Sequence, residues 1–179
     1  MTDINYSKIS VKELAALIGK KLKEHNIDVV LVGGACVTIY SHDRYQSSDL
    51  DFVTCNDIKK VQTALAELGF FPKNKYLAHQ GCPFLIEFVT PPVSVGREQI
   101  KQFEYLKTSF GEIKLLTPTD CVKDRLASYY HWDDIQALKQ AIMVSQEQDI
   151  DIKAIQQWSK QEGFLDKFEE YKKMIKSSA

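Results

Sequence analysis

The sequence is poor in the features that announce several protein classes. Its 179 residues include four cysteines, Cys36, Cys55, Cys82 and Cys121, with no C-x-x-C pair, so neither a disulfide scaffold nor a paired zinc cluster is encoded. His79 and Cys82 stand three apart, but zinc would need two more ligands at suitable spacing, and the sequence offers none. No apolar run reaches the ~20 residues of a membrane span, and no leader-like segment opens the chain. The expectation is a cytoplasmic protein with reduced thiols and no membrane partner. A formal net charge of -1 gives no general pull toward polyanions, so any nucleic-acid contact must come from a local patch. Neither G-x-G-x-x-G nor G-x-x-x-x-G-K-S/T is present, which disfavours dinucleotide-binding and Walker-type sites. No serine, histidine and acid arrangement points to hydrolase chemistry. Internal repeats and low-complexity linkers are also missing.

What is present is a hydrophobic content of 44% and a charged content of 26%, the composition of one compact globular chain. Ser10 and Glu13 form a capping box, followed by an apolar stripe at Leu14, Leu17, Ile18 and Leu22, which predicts a helix over 11–24. Val29 to Val32 is too short and too β-branched for a helix and ends on Gly33-Gly34, so it reads as a buried strand. Asp49 to Thr54 is the next strand. Asn56 can then cap a helix with Ile58, Val61, Leu65 and Leu68 on one face and Gly69 at its stop. Strands are expected at 76–79 and 84–89, bounded by Gly81, Pro83 and Pro91-Pro92, and a hairpin at 103–108 and 112–116. From Thr117 the pattern changes. Thr117 can cap, Pro118 suits the first helical position, and Asp120 favours the helix start. Helices follow near 118–130, 133–147, 151–162 and 164–176, with Gly163 ending the third. The fold class is α/β (α+β): a mixed sheet of five or six strands flanked by helices over 1–116, with a C-terminal helical subdomain over 117–179 packed on it.

Chemistry concentrates between Val29 and Thr54. Alternation along a strand puts Asp49 and Asp51 on one face and Leu50 and Phe52 on the other, toward the core. Two carboxylates one strand-step apart repel, and oxygen-rich groups of this kind suit hard cations such as Mg²⁺. Both could equally face solvent at a strand end. Glu87 interrupts the otherwise apolar FLIEFV, and a buried carboxylate is costly unless paired or metal-bound; the alternatives are an exposed face or a lysine partner. Gly33 and Gly34, at a strand-to-helix turn, leave room for phosphate oxygens near backbone N–H groups, or serve a tight turn or close packing. Lys123 and Arg125 lie on the helix after Thr117 and could line a solvated face. Tyr129, Tyr130 and Trp132 follow the spacing of Val122 and Leu126 and read as core or interface aromatics rather than a base-stacking platform. His131 reads as structural.

The run LVGGACVTIY, then SSDLDFVT, then FLIEFVT resembles the DNA polymerase β-type nucleotidyltransferase superfamily, and in detail its minimal prokaryotic, AbiEii-like, toxin-related members. The stretch LLTPTDCVKDRLASYYHWDDIQALKQA is similar to the helices that follow the sheet there. The resemblance spans roughly 29–145 and implies a nucleotidyltransferase fold. On it, Asp49, Asp51 and Glu87 would be catalytic and would hold two Mg²⁺ ions, or Mn²⁺ in their place. Gly33 and Gly34 would take the triphosphate, and Ser47 stands where related motifs often have serine or threonine. Related motifs place arginine four residues before the first aspartate; Tyr45 is there instead, with Arg44 one earlier. Lys123 or Arg125 would match the helix cation, and Asp133 or Asp134 the later acid. The implied reaction is transfer of a nucleoside monophosphate from an NTP to a hydroxyl of a tRNA end, a protein side chain or a small molecule, in a chain with a possible antitoxin partner. The rivals are a noncatalytic, antitoxin-like binding protein on the same fold and kinase-like phosphoryl transfer.

Overall fold

The computed structural model describes residues 4–178. The elements run α1 (Val11–Glu24), β1 (Val30–Val32), α2 (Gly34–Tyr40), β2 (Asp49–Val53), α3 (Ile58–Ala66), β3 (Phe71–Lys73), β4 (Tyr76–Ala78), β5 (Leu85–Val89), β6 (Ser94–Val95), β7 (Glu98–Gln99), β8 (Glu104–Thr108) and β9 (Gly111–Leu115). The helices α4 (Pro118–Trp132), α5 (Ile135–Glu147), α6 (Ile152–Glu162) and α7 (Leu165–Ser177) complete the chain.

Seven strands form one mixed sheet in the order β3-β4-β5-β2-β1-β9-β8, and β6 and β7 make a separate two-stranded hairpin. The sheet is therefore larger than the five or six strands expected. The added strand is β3, whose residues are all exposed. Pro72 has no N–H for a ladder, so this short stretch is tolerated only at an edge, where neither alternation nor burial marks it in sequence. The hairpin β6–β7 has two residues per strand, too few for any periodicity.

One face of the sheet is the core. Leu31, Leu50, Phe52, Ile86, Ile113 and Leu115 are all essentially buried. Phe52 stacks on Phe88 of the neighbouring strand with ring centroids 5.7 Å apart. Helix α1 packs on β9 and α3 through Leu14, Leu17, Ile18 and Leu22, all of them buried. Its start is the expected capping box: Glu13 N donates to Ser10 Oγ, and Ser10 N donates to a Glu13 carboxylate oxygen at 2.8 Å. Thr117 caps α4 by accepting from Asp120 N, with Pro118 at the first position.

Asn56 does not cap α3. Asp57 does, its carboxylate accepting from Lys59 N at 2.9 Å. Asn56 is held one residue short of the helix by Thr54, whose Oγ1 accepts from Asn56 N and donates to the Asp28 carbonyl oxygen. Two neighbouring residues with equal capping ability cannot be ranked by type, and this tertiary tie decides between them.

The C-terminal helices join the sheet through α2. Tyr40 Oη donates to Leu116 O at 2.6 Å, and Gln148 Nε2 donates to Tyr40 O at 2.9 Å. Tyr129 and Tyr130 are buried, as expected. Trp132 is not: at 81% exposed it belongs to neither core nor interface. It stands at the last position of α4, where the chain turns through a left-handed Asp133 (φ 52°) and leaves the core.

The corrected cap is directly measurable. Asp57→Ala should lower stability to urea unfolding by about 1 kcal/mol, the usual worth of an N-cap carboxylate. Asn56→Ala should change it by less than about 0.5 kcal/mol. The reverse order would restore Asn56 as the cap.

Candidate metal and nucleotide site

The residue pairing of the sheet builds the site. Val32 lies opposite Asp51 in the antiparallel β1/β2 pair, Asp51 opposite Glu87 in the parallel β2/β5 pair, Glu87 opposite Tyr76, and Tyr76 opposite Lys73. Directly paired residues share a face, so Lys73, Tyr76, Glu87, Asp51 and Val32 form one row across the face opposite the α1 core. Asp49 lies on the same face, one strand-step from Asp51.

Carboxylate oxygens of Asp49, Asp51 and Glu87 all lie within 4.8 Å of one another. Among the described residues this is the only group of three or more histidine, cysteine or acidic side chains so gathered. His79 and Cys82 belong to no such group. The His79 ring lies 4.1 Å from that of Tyr6, and its Nδ1 accepts from Gly81 N.

Asp51 is the most strained of the three acids. Its Oδ1 is buried and has no hydrogen-bond partner. Burial pushes its carboxyl up to about 6; the like charges of Asp49 and Glu87 add to this, while Arg125 and Lys75 pull the other way. A carboxylate with one unpartnered buried oxygen, clustered with two further carboxylates, is what a hard divalent cation satisfies, so these residues fit Mg²⁺ or Mn²⁺.

The glycine pair is shaped around these acids. Gly33 caps α2 at φ 70°, and a Cβ there would sit 2.8 Å from Asp51 Oδ2; one on Gly34 would sit 3.1 Å from Ser47 Oγ. Any side chain at Gly33 would thus be both strained and in collision with the site. Ser47 is buried and donates its hydroxyl to Asp49 O at 2.8 Å, with Asp49 Oδ1 at 3.4 Å. It fixes the approach to β2.

The expected cations divide. Arg125 is fixed by Asp124 and by Gln140 Oε1 at 3.3 Å, and its charge works against the rise in the Asp51 pKa. Lys123 is buried rather than on a solvated face, its ammonium 3.0 Å from Glu98 and 3.6 Å from Asp120, tying α4 to β7. Arg44 is engaged elsewhere, by Gln146 and Glu147 at the end of α5. Asp134 caps α5 by accepting from Ala137 N, while Asp133 pairs with Lys167. His131 is exposed and meets the Phe164 ring edge-on.

Sequence reading missed Lys75. From the turn between β3 and β4 its Nζ reaches Glu87 Oε1 at 3.0 Å and lies 4.9 Å from the Tyr76 ring centroid. A lysine partner for Glu87 was one of the open alternatives, but only the register of the unrecognised strand β3 identifies which lysine.

No protein-family profile and no curated protein sequence matches the chain. Among solved structures the chain is similar to an antigenic nucleotidyltransferase-like protein from Paracoccidioides brasiliensis, with a TM-score of 0.57, 17% sequence identity, and 75% of each chain covered. The fold is thus nucleotidyltransferase-like. No helix among the described residues is long and apolar enough to cross a membrane.

The Asp51 shift fixes a sign. Its pKa is about 6 when folded against an ordinary 3.8, so between about pH 4 and 6 the folded state binds more protons than the unfolded one. Stability from this group therefore falls as pH rises through that window and stays lower above it. In chelator, Asp51→Asn should melt about 2–4 °C above wild type at pH 8, a gain discounted for partial solvation, and the gap should close toward pH 4. Mn²⁺ should raise the melting temperature of wild type at pH 8 and not that of the variant. A less stable variant at pH 8 would refute the strained-carboxylate reading.

Proposed function

We propose that the chain is a metal-dependent nucleotidyltransferase that moves a nucleoside monophosphate from an NTP to an acceptor hydroxyl. The observation that carries this is the convergence of carboxylate oxygens of Asp49, Asp51 and Glu87 within 4.8 Å, with Asp51 Oδ1 left without a partner, on a nucleotidyltransferase-like fold.

Asp49 and Asp51 would hold two Mg²⁺ ions, or Mn²⁺, with Glu87 holding one of them. Bound there, such ions supply charge stabilisation at the attacking and leaving oxygens of an in-line displacement. Gly33 and Gly34 leave the Asp51 side of the cluster open to the triphosphate, since neither has a side chain to occupy the space in front of the acids. Arg125, held by Asp124 and Gln140, directs fixed positive charge at the cluster from α4. Lys123 and Asp134 hold helices in place and support the site indirectly. The acceptor oxygen attacks the α-phosphorus, the bond from that phosphorus to the pyrophosphate oxygen breaks, and Asp51 or Glu87 accepts the hydroxyl proton.

The toxin-related resemblance favours a tRNA end or a protein side chain as acceptor over a small molecule, and an antitoxin as partner. A second reading, a noncatalytic partner-binding protein on the same fold, has one observation in its favour: Lys75 already neutralises Glu87 without any cation.

The deciding experiment incubates the protein with each NTP, labelled at the α- or the γ-phosphate, with Mg²⁺ and with or without total tRNA. Label from the α-position should reach an acceptor, and Asp49→Ala/Asp51→Ala should reduce transfer to background. Transfer of γ-label would mean kinase chemistry, and transfer that survives the double substitution would remove the acids from the mechanism. Failure to bind both NTP and metal by calorimetry would establish the noncatalytic reading.

A further inference from the structure

Two cations lie near the acid cluster, and they are held in opposite ways. Arg125 has a side chain only 18% exposed and is bonded to Asp124 and Gln140, so it is fixed and its charge is partly spent on Asp124. Lys75 has a side chain 62% exposed and a single carboxylate partner, Glu87, with its Nζ 3.0 Å from Oε1. It extends from the two-residue turn Asn74-Lys75, where Asn74 takes the left-handed conformation (φ 56°), so the backbone beneath it is set while the side chain is free to swing. An exposed ion pair of this kind is weak, and a lysine ammonium on a four-carbon stem re-aims without a geometric penalty.

Glu87 Oε1 cannot serve Lys75 and a divalent cation at full strength together, because both claim the same negative charge. A cation entering among Asp49, Asp51 and Glu87 therefore displaces the ammonium. On its other side Asp51 lies against the Gly33 turn, where an added Cβ would sit 2.8 Å from Oδ2. Lys75 reaches Glu87 with a largely solvent-exposed side chain, so its ammonium can turn to a phosphate that arrives at the cluster from solvent.

We propose that Lys75 is a displaceable counter-ion of the acid cluster, holding Glu87 while no divalent cation is bound and turning to the nucleotide's polyphosphate once one is. This rests on the reading of the cluster as a metal and nucleotide site. It makes Lys75 a binding residue with two partners, and it gives the metal-free protein a cluster in which Glu87 is neutralised before any ligand arrives.

The test uses the full chain and two probes, Mn²⁺ alone, followed by electron paramagnetic resonance, and inorganic tripolyphosphate at saturating Mg²⁺, followed by calorimetry. Lys75→Met should bind Mn²⁺ about threefold to fivefold more tightly than wild type, since a weak exposed competitor has gone. The same variant should bind tripolyphosphate about tenfold more weakly, having lost a charge-assisted contact. Lys75→Arg should return both toward wild type, and the melting temperatures should agree, because the side chain is exposed. These opposed shifts are the signature that an ordinary surface ion pair lacks. Unchanged Mn²⁺ affinity in Lys75→Met, or unchanged tripolyphosphate affinity, overturns the proposal while leaving the acid site standing. Failure of wild type and variant alike to bind Mn²⁺ overturns the acid-site reading, and the proposal with it.

Discussion

The parallel pairing of β2 with β5, Asp49 opposite Leu85 through Val53 opposite Val89, is the constraint on which the site depends. A slip of one residue would turn Glu87 into the core and Phe88 out of it, because the side-chain period of a strand is two. What forbids the slip lies on the other face, where Leu50, Phe52 and Ile86 are buried and Phe52 stacks on Phe88. Burying each such side chain contributes about 1.5–3 kcal/mol. Two unit charges at the 4.8 Å limit of the cluster repel by about 3–4 kcal/mol at an effective dielectric near 20. The apolar face can hold the acids together, but three such repulsions are comparable with its whole contribution. The cluster is therefore tolerated only with help, and the structure has three forms of it: the raised pKa of Asp51, the fixed charge of Arg125 and the ion pair of Lys75.

Most of the local structure is legible in the sequence because its causes are local. The Ser10–Glu13 box, the Thr117-Pro118 start and the apolar stripe of α1 all depend on residues within a turn or two of one another. The shared face of Asp49 and Asp51 follows from alternation alone, and the core placement of Leu50 and Phe52 follows with it. What sequence could not rank were choices made by distant contacts. Thr54 reaches to the Asp28 carbonyl and holds Asn56 out of the helix, leaving the cap to Asp57. Trp132 has the helical spacing of a core residue, yet α4 ends there. Lys123 and Arg125 look alike on a helix; only the position of β7 buries the first beside Glu98, and only α5 supplies Gln140 to the second. The lysine partner of Glu87 depended on an exposed edge strand with a proline in it, which carries no pattern to read.

At the glycine pair the structure supports the close-packing reading of the motif, and phosphate access belongs to the proposed function. Close packing and phosphate access are usually rivals, and at Gly33 the closest neighbour of an added Cβ is the site's own carboxylate, Asp51 Oδ2. The packing constraint and the proposed approach of a phosphate rest on the same cause, the absence of a side chain at a left-handed position. A substitution there would remove both at once, so its effect alone could never tell them apart. Ser47 separates them better. It contacts Asp49 through the carbonyl oxygen at 2.8 Å and only distantly through the carboxylate, which makes it a support of β2 whose loss leaves the opening intact.

The helical part matters to the site through a single charge. Helix α4 starts at the end of β9 and is tied to α2 by Tyr40 and Leu116; it carries Arg125, whose charge favours the ionised form of Asp51 while Asp124 and Gln140 take its hydrogen bonds. A guanidinium so engaged lowers the energy of the ionised cluster but cannot leave it or follow a ligand. Lys75, exposed and held by one ion pair to Glu87 and by the Tyr76 ring, can. The electrostatics of the site are thus split between one cation that the fold immobilises and one that it leaves free, and only the free one can exchange a carboxylate for a phosphate without moving the backbone. That division is a property of the edge strand β3 and its turn to β4, so the least core-like part of the sheet supplies the counter-ion that a metal would have to displace.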